Sequence, residues 1–221
     1  MQPMAALNLS RYAFAEAISR EHRDALVSKT VFDVGAHDDQ MRRPISVLGL
    51  DWHGFDLKPG CADVLRWDLN ERCPIRDASP GIVFLLDVIE HLYNPGLAIA
   101  NIAATMNPGA LLVMTMPNPR WSRSRLHALW TGYLACFTES DLRHNHHVFT
   151  PWPHVIEHLL TGAGFTIERY VTIDGPYAWP TFTFSPIYFV RIAHSVINKL
   201  IEWRDPSACG MSYAVVATRT E

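Results

Sequence analysis

Apolar positions along the chain fall into short runs separated by polar, glycine- and proline-rich breaks. Runs suited to buried strands lie at 30–35 (TVFDVG), 52–56 (WHGFD), 63–67 (DVLRW), 81–88 (GIVFLLDV) and 110–116 (ALLVMTM). Continuous apolar runs of this length, bounded by turn residues, are what strands covered on both faces require. Segments with helical spacing alternate with them. Residues 8–27 carry a mixed apolar and charged face, with Asn8 or Ser10 as candidate N-caps. The stretch NPGLAIANIAATMNPG opens with Pro95 in a first turn and closes on Asn-Pro-Gly, so it is a bounded helix. This alternation predicts an α/β fold, a mostly parallel sheet with helices on both faces.

The second half is less regular. WSRSRLHALWTGYLACF (121–137) starts with helical spacing and leads into a polar, histidine-rich stretch, TESDLRHNHH. A helix is expected from near Thr150-Pro151 through HVIEHLLTGAG, with Gly162 and Gly164 as stop signals. FTIERYV (165–171) alternates as a strand does, SPIYFVRIAHSVINKLIEW (185–203) is amphipathic with helical period, and SYAVVATRT (212–220) is a final strand. No internal repeat or low-complexity segment interrupts this order.

Composition narrows the class. The 221 residues carry a formal charge of −3 with 19 Lys and Arg, which gives no global electrostatic case for nucleic acid. The four cysteines (Cys61, Cys73, Cys136, Cys209) form no CxxC pair and are expected to be free thiols in a reducing compartment. The first residues lack a signal-peptide core, and no uncharged apolar run is long enough to span a bilayer. A soluble cytoplasmic protein is the expectation.

In an open α/β sheet, ligands sit at the carboxyl ends of the strands. Here those ends are Asp33-Val-Gly35, Asp56, Asp68-Leu69, Asp87-Val-Ile-Glu90-His91 and Pro117-Asn118. Acids gathered at one sheet edge are costly unless they bind hydroxyls, ammonium groups or a cation. Any one of them alone is as well explained as a helix cap or a solvated loop carboxylate.

The ordered set resembles the class I S-adenosylmethionine-dependent methyltransferases, over residues 28 to 171. VFDVGAHDD stands where that family has a strand and an Asp/Glu-x-Gly-x-Gly-x-Gly loop, HGFDLKPG where it has the second-strand acid, and WDLNERCPIRD at the third-strand acid. LLDVIEHLYNPGLAIANIAATMNPGALLVMTMPN matches its fourth strand, helix and fifth strand, and HHVFTPWPHVIEHLLTGAGF its His-x-x-Phe-Thr-Pro helix ending in Ala-Gly-Phe. The resemblance is to sugar and small-molecule O-methyltransferases in particular. It implies a Rossmann-like methyltransferase fold in one domain: an N-terminal helix (8–27), a cofactor-binding core (28–118), an inserted cap (119–150) and a C-terminal helix with strands (151–221). It also implies S-adenosylmethionine as cofactor. Asp56 and Leu57 would hold the ribose, because one carboxylate accepts two hydroxyls together. Asp68 and Leu69 would meet the adenine. Gly35, Ala36 and His37 would approach the methionine moiety, whose ammonium end Asp33 would orient, with Asp87 beside it.

The chain departs from that pattern where His37 and Asp39 replace the second and third glycines of the loop. Asp38 and Asp39 compete with the cofactor carboxylate for the following helix N-terminus, and Pro44 shortens that helix. A tolerated variant with a shifted loop, a weakened site and a non-catalytic relative with a degenerate loop all remain open.

On the acceptor side, a hydroxyl needs a base active near neutral pH, which histidine supplies. His147 is the first choice and His91 the second, with Glu90 orienting one of them. The spacing Asp87-x-x-Glu90-His91 is similar to the Glu-x-x-Glu-His site of ubiquinone-type O-methyltransferases. Together with Arg143-His-Asn-His-His147 it also resembles the metal site of small-RNA 3′-terminal 2′-O-methyltransferases, where a divalent metal ion lowers a hydroxyl pKa. Against a metal, Glu-His-Leu occurs widely in methyltransferases that bind none. Against RNA, the chain lacks a basic stripe. His144 and His146 are expected either at the surface or behind the residues that touch the ligand. Trp121, Trp130, Tyr133 and Phe137 either stack on a sugar or pack a helical cap, and the 185–203 helix serves as a homodimer face, a contact for a lipid-linked substrate or a cover for the sheet. The combined expectation is O-methylation of a small molecule or glycan precursor.

Overall fold

The structure is a computed structural model that describes residues 7–75, 77–175 and 186–220, with only the backbone described at 186–188. In chain order its elements are α1 (Arg11–His22), β1 (Thr30–Val34), α2 (Arg42–Val47), β2 (Asp51–Asp56), β3 (Val64–Arg66), β4 (Ile82–Leu86), α3 (Pro95–Ala103), β5 (Leu111–Pro117), α4 (Ser122–Thr131), α5 (Glu139–His144), α6 (Pro153–Gly162), β6 (Phe165–Ile173), α7 (Pro186–Arg204) and β7 (Ser212–Arg219). One 3₁₀ turn, Ile89–His91, follows β4, and another, Pro206–Ala208, follows α7.

The strands form one seven-stranded sheet in the order β3-β2-β1-β4-β5-β7-β6, parallel except for β7, which runs antiparallel to both neighbours. Strand order reverses between β1 and β4, so the loops after these strands diverge and leave a crevice at their carboxyl ends. Because side chains alternate across a strand, β1 and β4 each contribute to both faces. Phe32, Val34, Val83 and Leu85 pack with Ile99 and Ile102 of α3 and Ile156 and Leu160 of α6. Val31, Ile82 and Phe84 pack on the other face with Phe14 and Ile18 of α1 and Ile45 of α2. Each such buried aliphatic or aromatic side chain stabilises the fold by about 1.5–3 kcal/mol. The α/β expectation with helices on both faces holds.

Several boundaries differ from the expected ones, for identifiable reasons. The first helix is shorter than 8–27. Ser10 caps it, its hydroxyl accepting from the Ala13 amide at 3.3 Å, and it ends at His22. The 121–137 segment stays helical only to Thr131, where Gly132 takes a left-handed φ of 79° as C-cap. Part of the histidine-rich stretch is itself helical: Thr138 and Asp141 form a reciprocal capping box that starts α5. α2 is short, six residues with Pro44 in its first turn, and it ends ahead of Gly49, whose φ is 72°. The TFTFS segment at 181–185 lies outside the described residues. Among the described residues, no helix is long and apolar enough to cross a membrane.

Candidate active site

The loop after β1 turns at Gly35, whose φ is +84°. Its amide and that of Ala36 both donate to the Phe55 carbonyl, at 2.7 and 3.0 Å. A Cβ on Gly35 would sit 2.2 Å from Cγ2 of Val88, so the close approach of the post-β1 and post-β4 loops demands glycine. Beside it opens a cleft of about 430 Å³ walled by Gly35, Asp56, Leu57, Asp68, Leu69, Asp87 and His91. A smaller cavity of about 100 Å³ shares Gly35 and Asp87 and adds Asp33, Ala36 and Arg11. The acids at the ends of β1 to β4 are thus brought together as the strand order requires.

Their hydrogen bonds define what each acid can still do. Asp56 accepts from the Lys58 amide at 2.7 Å through Oδ1 and from the His37 amide at 3.0 Å through Oδ2, which aims the carboxylate rigidly. Asp68 Oδ1 accepts from the amide and the side chain of Asn70, both at 2.9 Å. Asp33 is buried, and its Oδ2 accepts from the Trp52 indole at 3.0 Å. Burial pushes its carboxyl up to about 6. Asp87 takes a left-handed φ of 53°. Its Oδ1 accepts from Thr115 Oγ1 at 2.7 Å, and its Oδ2 pairs with Arg11 at 2.5 Å.

His37 occupies the left-handed region (φ 51°) that a glycine would otherwise fill, a conformation costing an L side chain about 1–2 kcal/mol. Its ring lies over the following loop, with Nδ1 3.2 Å from the Lys58 carbonyl, and walls neither cavity. Gly60 makes room for it: a Cβ there would fall 2.8 Å from His37 Nε2. Asp38 turns its Oδ1 to the Gln40 amide at 3.0 Å, and the Asp39 carbonyl accepts from Arg42.

At the other side of the cleft, the 3₁₀ turn presents Glu90 and His91. The Glu90 carbonyl accepts from the amides of Val148 and Phe149, at 2.9 and 3.0 Å, and so draws His147 alongside. The His91 and His147 rings meet edge to face with centroids 4.9 Å apart, and Phe137 lies 5.7 Å from His147. His147 Nδ1 is 2.5 Å from the Cys136 carbonyl. Since a carbonyl only accepts, Nδ1 carries the proton and Nε2 keeps a lone pair. Burial and the neighbouring His147 push the His91 imidazole down, partly offset by hydrogen bonds to the backbone of Asn145 and His146. Glu90 is 1% exposed and its Oε2 has no hydrogen-bond partner. Burial, with Asp87 adding, pushes it up to about 8. Ligand-capable atoms of Glu90, His91 and His147 all lie within 4.8 Å of one another.

Residues 8–170 match the family described as methyltransferase domain. The chain belongs to this family. Solved structures share the methyltransferase fold. A S-adenosylmethionine-dependent methyltransferase from Archaeoglobus fulgidus aligns over 95% of both chains at 18% identity, with a TM-score of 0.62. A chain from the complex between the Haloferax volcanii Trm112 methyltransferase activator and a methyltransferase aligns over 96% of both chains at 15% identity and a TM-score of 0.57. Phosphoethanolamine N-methyltransferase 2 of Haemonchus contortus, in complex with S-adenosyl-L-methionine, aligns over 95% of this chain and 53% of its own at 16% identity and 0.54. No curated protein matches the chain.

Four residues of this methyltransferase escape a reading of the sequence. Arg11 reaches the small cavity from α1, Trp52 holds Asp33, Gly60 accommodates His37, and Tyr93, 82% exposed, stands at the mouth of the cleft. Only Tyr93 had a local signal, three residues beyond the Asp87–Glu90 motif. His144 and His146 are exposed, as expected. Of the cap aromatics, Phe137 faces the histidine pair, Trp130 is 74% exposed, and Tyr133 donates to Glu139 at 3.0 Å.

Proposed function

We propose that this methyltransferase methylates a hydroxyl oxygen of a small molecule or glycan precursor. The observation that carries this reading is the His91–His147 pair beside buried Glu90 at the edge of the cleft walled by Gly35, Asp56 and Asp68. S-adenosylmethionine, when bound, supplies an electrophilic methyl group on its sulfonium. The donor set suits it. Asp56, aimed by two amides, offers its remaining lone pairs to a ribose diol, with Leu57 beside it, and Asp68 and Leu69 form the wall for an adenine. The small cavity sets one cation, Arg11, against two acids, Asp33 and Asp87, which complements the zwitterionic end of an amino acid. Gly35 and Ala36 let the backbone come close there.

In the transfer, His147 Nε2 accepts the proton of the acceptor hydroxyl as the oxygen takes the methyl group. His147 is left as an imidazolium and later releases the proton to water. The Cys136 carbonyl orients its ring, and His91, held below the usual imidazole range, is the alternative base. Glu90, kept protonated at neutral pH by burial and by the neighbouring Asp87, ionises more readily beside the new imidazolium and stabilises it. Phe137 closes one side of the pair. His147→Ala protein, assayed with a true acceptor, is expected to lose turnover while S-adenosylmethionine still binds by calorimetry. Retained turnover overturns the base assignment.

The orphaned Oε2 of Glu90 favours a second reading, in which Glu90, His91 and His147 hold a divalent ion that acidifies the acceptor hydroxyl. Activity that survives dialysis against a chelator supports the first reading. Activity lost on chelation and restored by Zn²⁺ or Mn²⁺ supports the second.

A further inference from the structure

His147 stands on a strap of chain, residues 146–152, that forms neither helix nor strand, so no regular ladder of backbone hydrogen bonds fixes it. Two anchors hold the strap instead. In its middle, the Val148 and Phe149 amides donate to the Glu90 carbonyl. At its far end, the carbonyl of buried Pro151 accepts from the Tyr213 hydroxyl at 2.7 Å, and among the described residues no backbone amide donates to that carbonyl. The far end is also stiff. Pro151 and Pro153 lock their own φ, and each restricts the residue before it to extended torsions, as Trp152 shows with φ −66° and ψ 134°. A shift at Pro151 is therefore passed along the strap rather than absorbed in it.

Tyr213 is placed to hold that end. It is the second residue of β7, level with Met116 of β5 and Thr172 of β6, near the carboxyl edge of the sheet. Its side chain is fully buried in the core that also contains Ile156 and Leu160 of α6, and its ring meets Tyr170 edge to face with centroids 5.2 Å apart. Burial, then Tyr170 and Glu90, push its phenol well above the ordinary value, so the hydroxyl remains a donor. Tyr170 supplies the contrast: it packs in the same core, yet its buried hydroxyl has no hydrogen-bond partner. Bulk alone accounts for Tyr170, whereas Tyr213 uses its hydroxyl on the strap that carries His147. Catalysis is sensitive to such placement, since a displacement of about 1 Å can cost roughly 10²-fold in rate.

We propose that Tyr213 is a positioning residue for His147: by holding Pro151, its hydroxyl keeps the imidazole against the Cys136 carbonyl with Nε2 free to take a proton. This rests on His147 as the base, but its test needs no acceptor. Long-range proton–nitrogen NMR spectra of the full chain carrying nitrogen-15 histidine, at about pH 8 where an ordinary imidazole is neutral, distinguish the two tautomers. The His147 signals are assigned by their loss in His147→Ala. The parent is expected to show His147 as the Nδ1–H tautomer. Tyr213→Phe is expected to keep its circular dichroism spectrum and to shift His147 to a mixture in which Nε2–H, the form a free imidazole side chain favours, predominates. Tyr170→Phe is expected to leave the His147 signals where the parent has them. Unmoved His147 signals in Tyr213→Phe overturn the proposal, as does an Nε2–H tautomer in the parent. An equal shift in Tyr170→Phe overturns it in favour of a general loosening of the core, and loss of the folded spectrum in Tyr213→Phe makes the bond a strut of the fold instead. These spectra do not depend on methyl transfer, so turnover retained by His147→Ala would remove the base assignment without moving them, and the two failures are told apart.

Discussion

The imidazole of His37 occupies the space that a side chain on Gly60 would need, its Nε2 lying 2.8 Å from the position of a Cβ there. The glycine missing from the cofactor loop is therefore compensated across the cleft rim, between residues far apart in sequence. Gly60→Ala is expected to destabilise the protein by about 1–3 kcal/mol through overpacking, and to weaken S-adenosylmethionine binding because the displaced His37 amide no longer aims Asp56. His37→Gly is expected to keep cofactor affinity, and in combination with Gly60→Ala to recover part of the loss. Thermal melts and calorimetric titration of the three variants check this. Unchanged binding by Gly60→Ala would mean that the rim does not set the carboxylate.

Arg11 and Asp87 join α1 to the end of β4 with side chains 39% and 23% exposed. Pairs this accessible contribute about 1 kcal/mol or less to stability. Arg11→Ala is therefore expected to melt close to the parent. Its KM for S-adenosylmethionine should nevertheless rise roughly tenfold, since the small cavity would lose its one positive side chain facing a substrate carboxylate. A large fall in melting temperature with unchanged KM would make Arg11 a structural strut instead.

The pattern of apolar runs made Asp33, Gly35, Asp56, Asp68 and Asp87 legible as strand-end positions, because a parallel sheet brings the carboxyl ends of its strands to one edge whatever the side chains do. The pairings that tune these acids were not legible. Trp52 to Asp33, Arg11 to Asp87 and Gly60 to His37 depend on side-chain directions across loops, which no local periodicity records. The same limit explains α7. Its sequence shows two unlike faces, but only packing against Ser122 of α4 reveals that the polar one is inside. The capping box of α5 has a local signature in Thr138-x-x-Asp141, which the surrounding run of polar residues and histidines obscures.

Glu90 gives the clearest dependence on pH. Its carboxyl rises from 4.5 in the unfolded chain to about 8 in the fold, so between these values the folded state holds a proton that the unfolded state has released. Stability must then fall as pH rises through that window. Asp33, raised from 3.8 to about 6, adds in the same direction over the lower part of it. Urea denaturation is expected to show the parent less stable at pH 8 than at pH 5, by about 2–4 kcal/mol. Glu90→Gln, uncharged throughout, should flatten most of that slope. Added Zn²⁺ that flattens it in the parent but leaves Glu90→Gln unaffected would identify the carboxylate as a metal ligand.

The histidine pair separates two roles by kinetics. His147 Nδ1 is committed to the Cys136 carbonyl, which leaves Nε2 to accept a proton, whereas His91 walls the cleft and sits in the field of its neighbour. His147→Ala is expected to lower kcat by roughly 10²–10⁴, the usual contribution of a positioned general base, with little change in KM for the cofactor. His91→Ala is expected to raise KM for the acceptor and to lower kcat less. A larger loss of kcat in His147→Ala than in His91→Ala, with KM for the cofactor unchanged in both, is the result that supports this division. A larger loss of kcat in His91→Ala would exchange the two assignments.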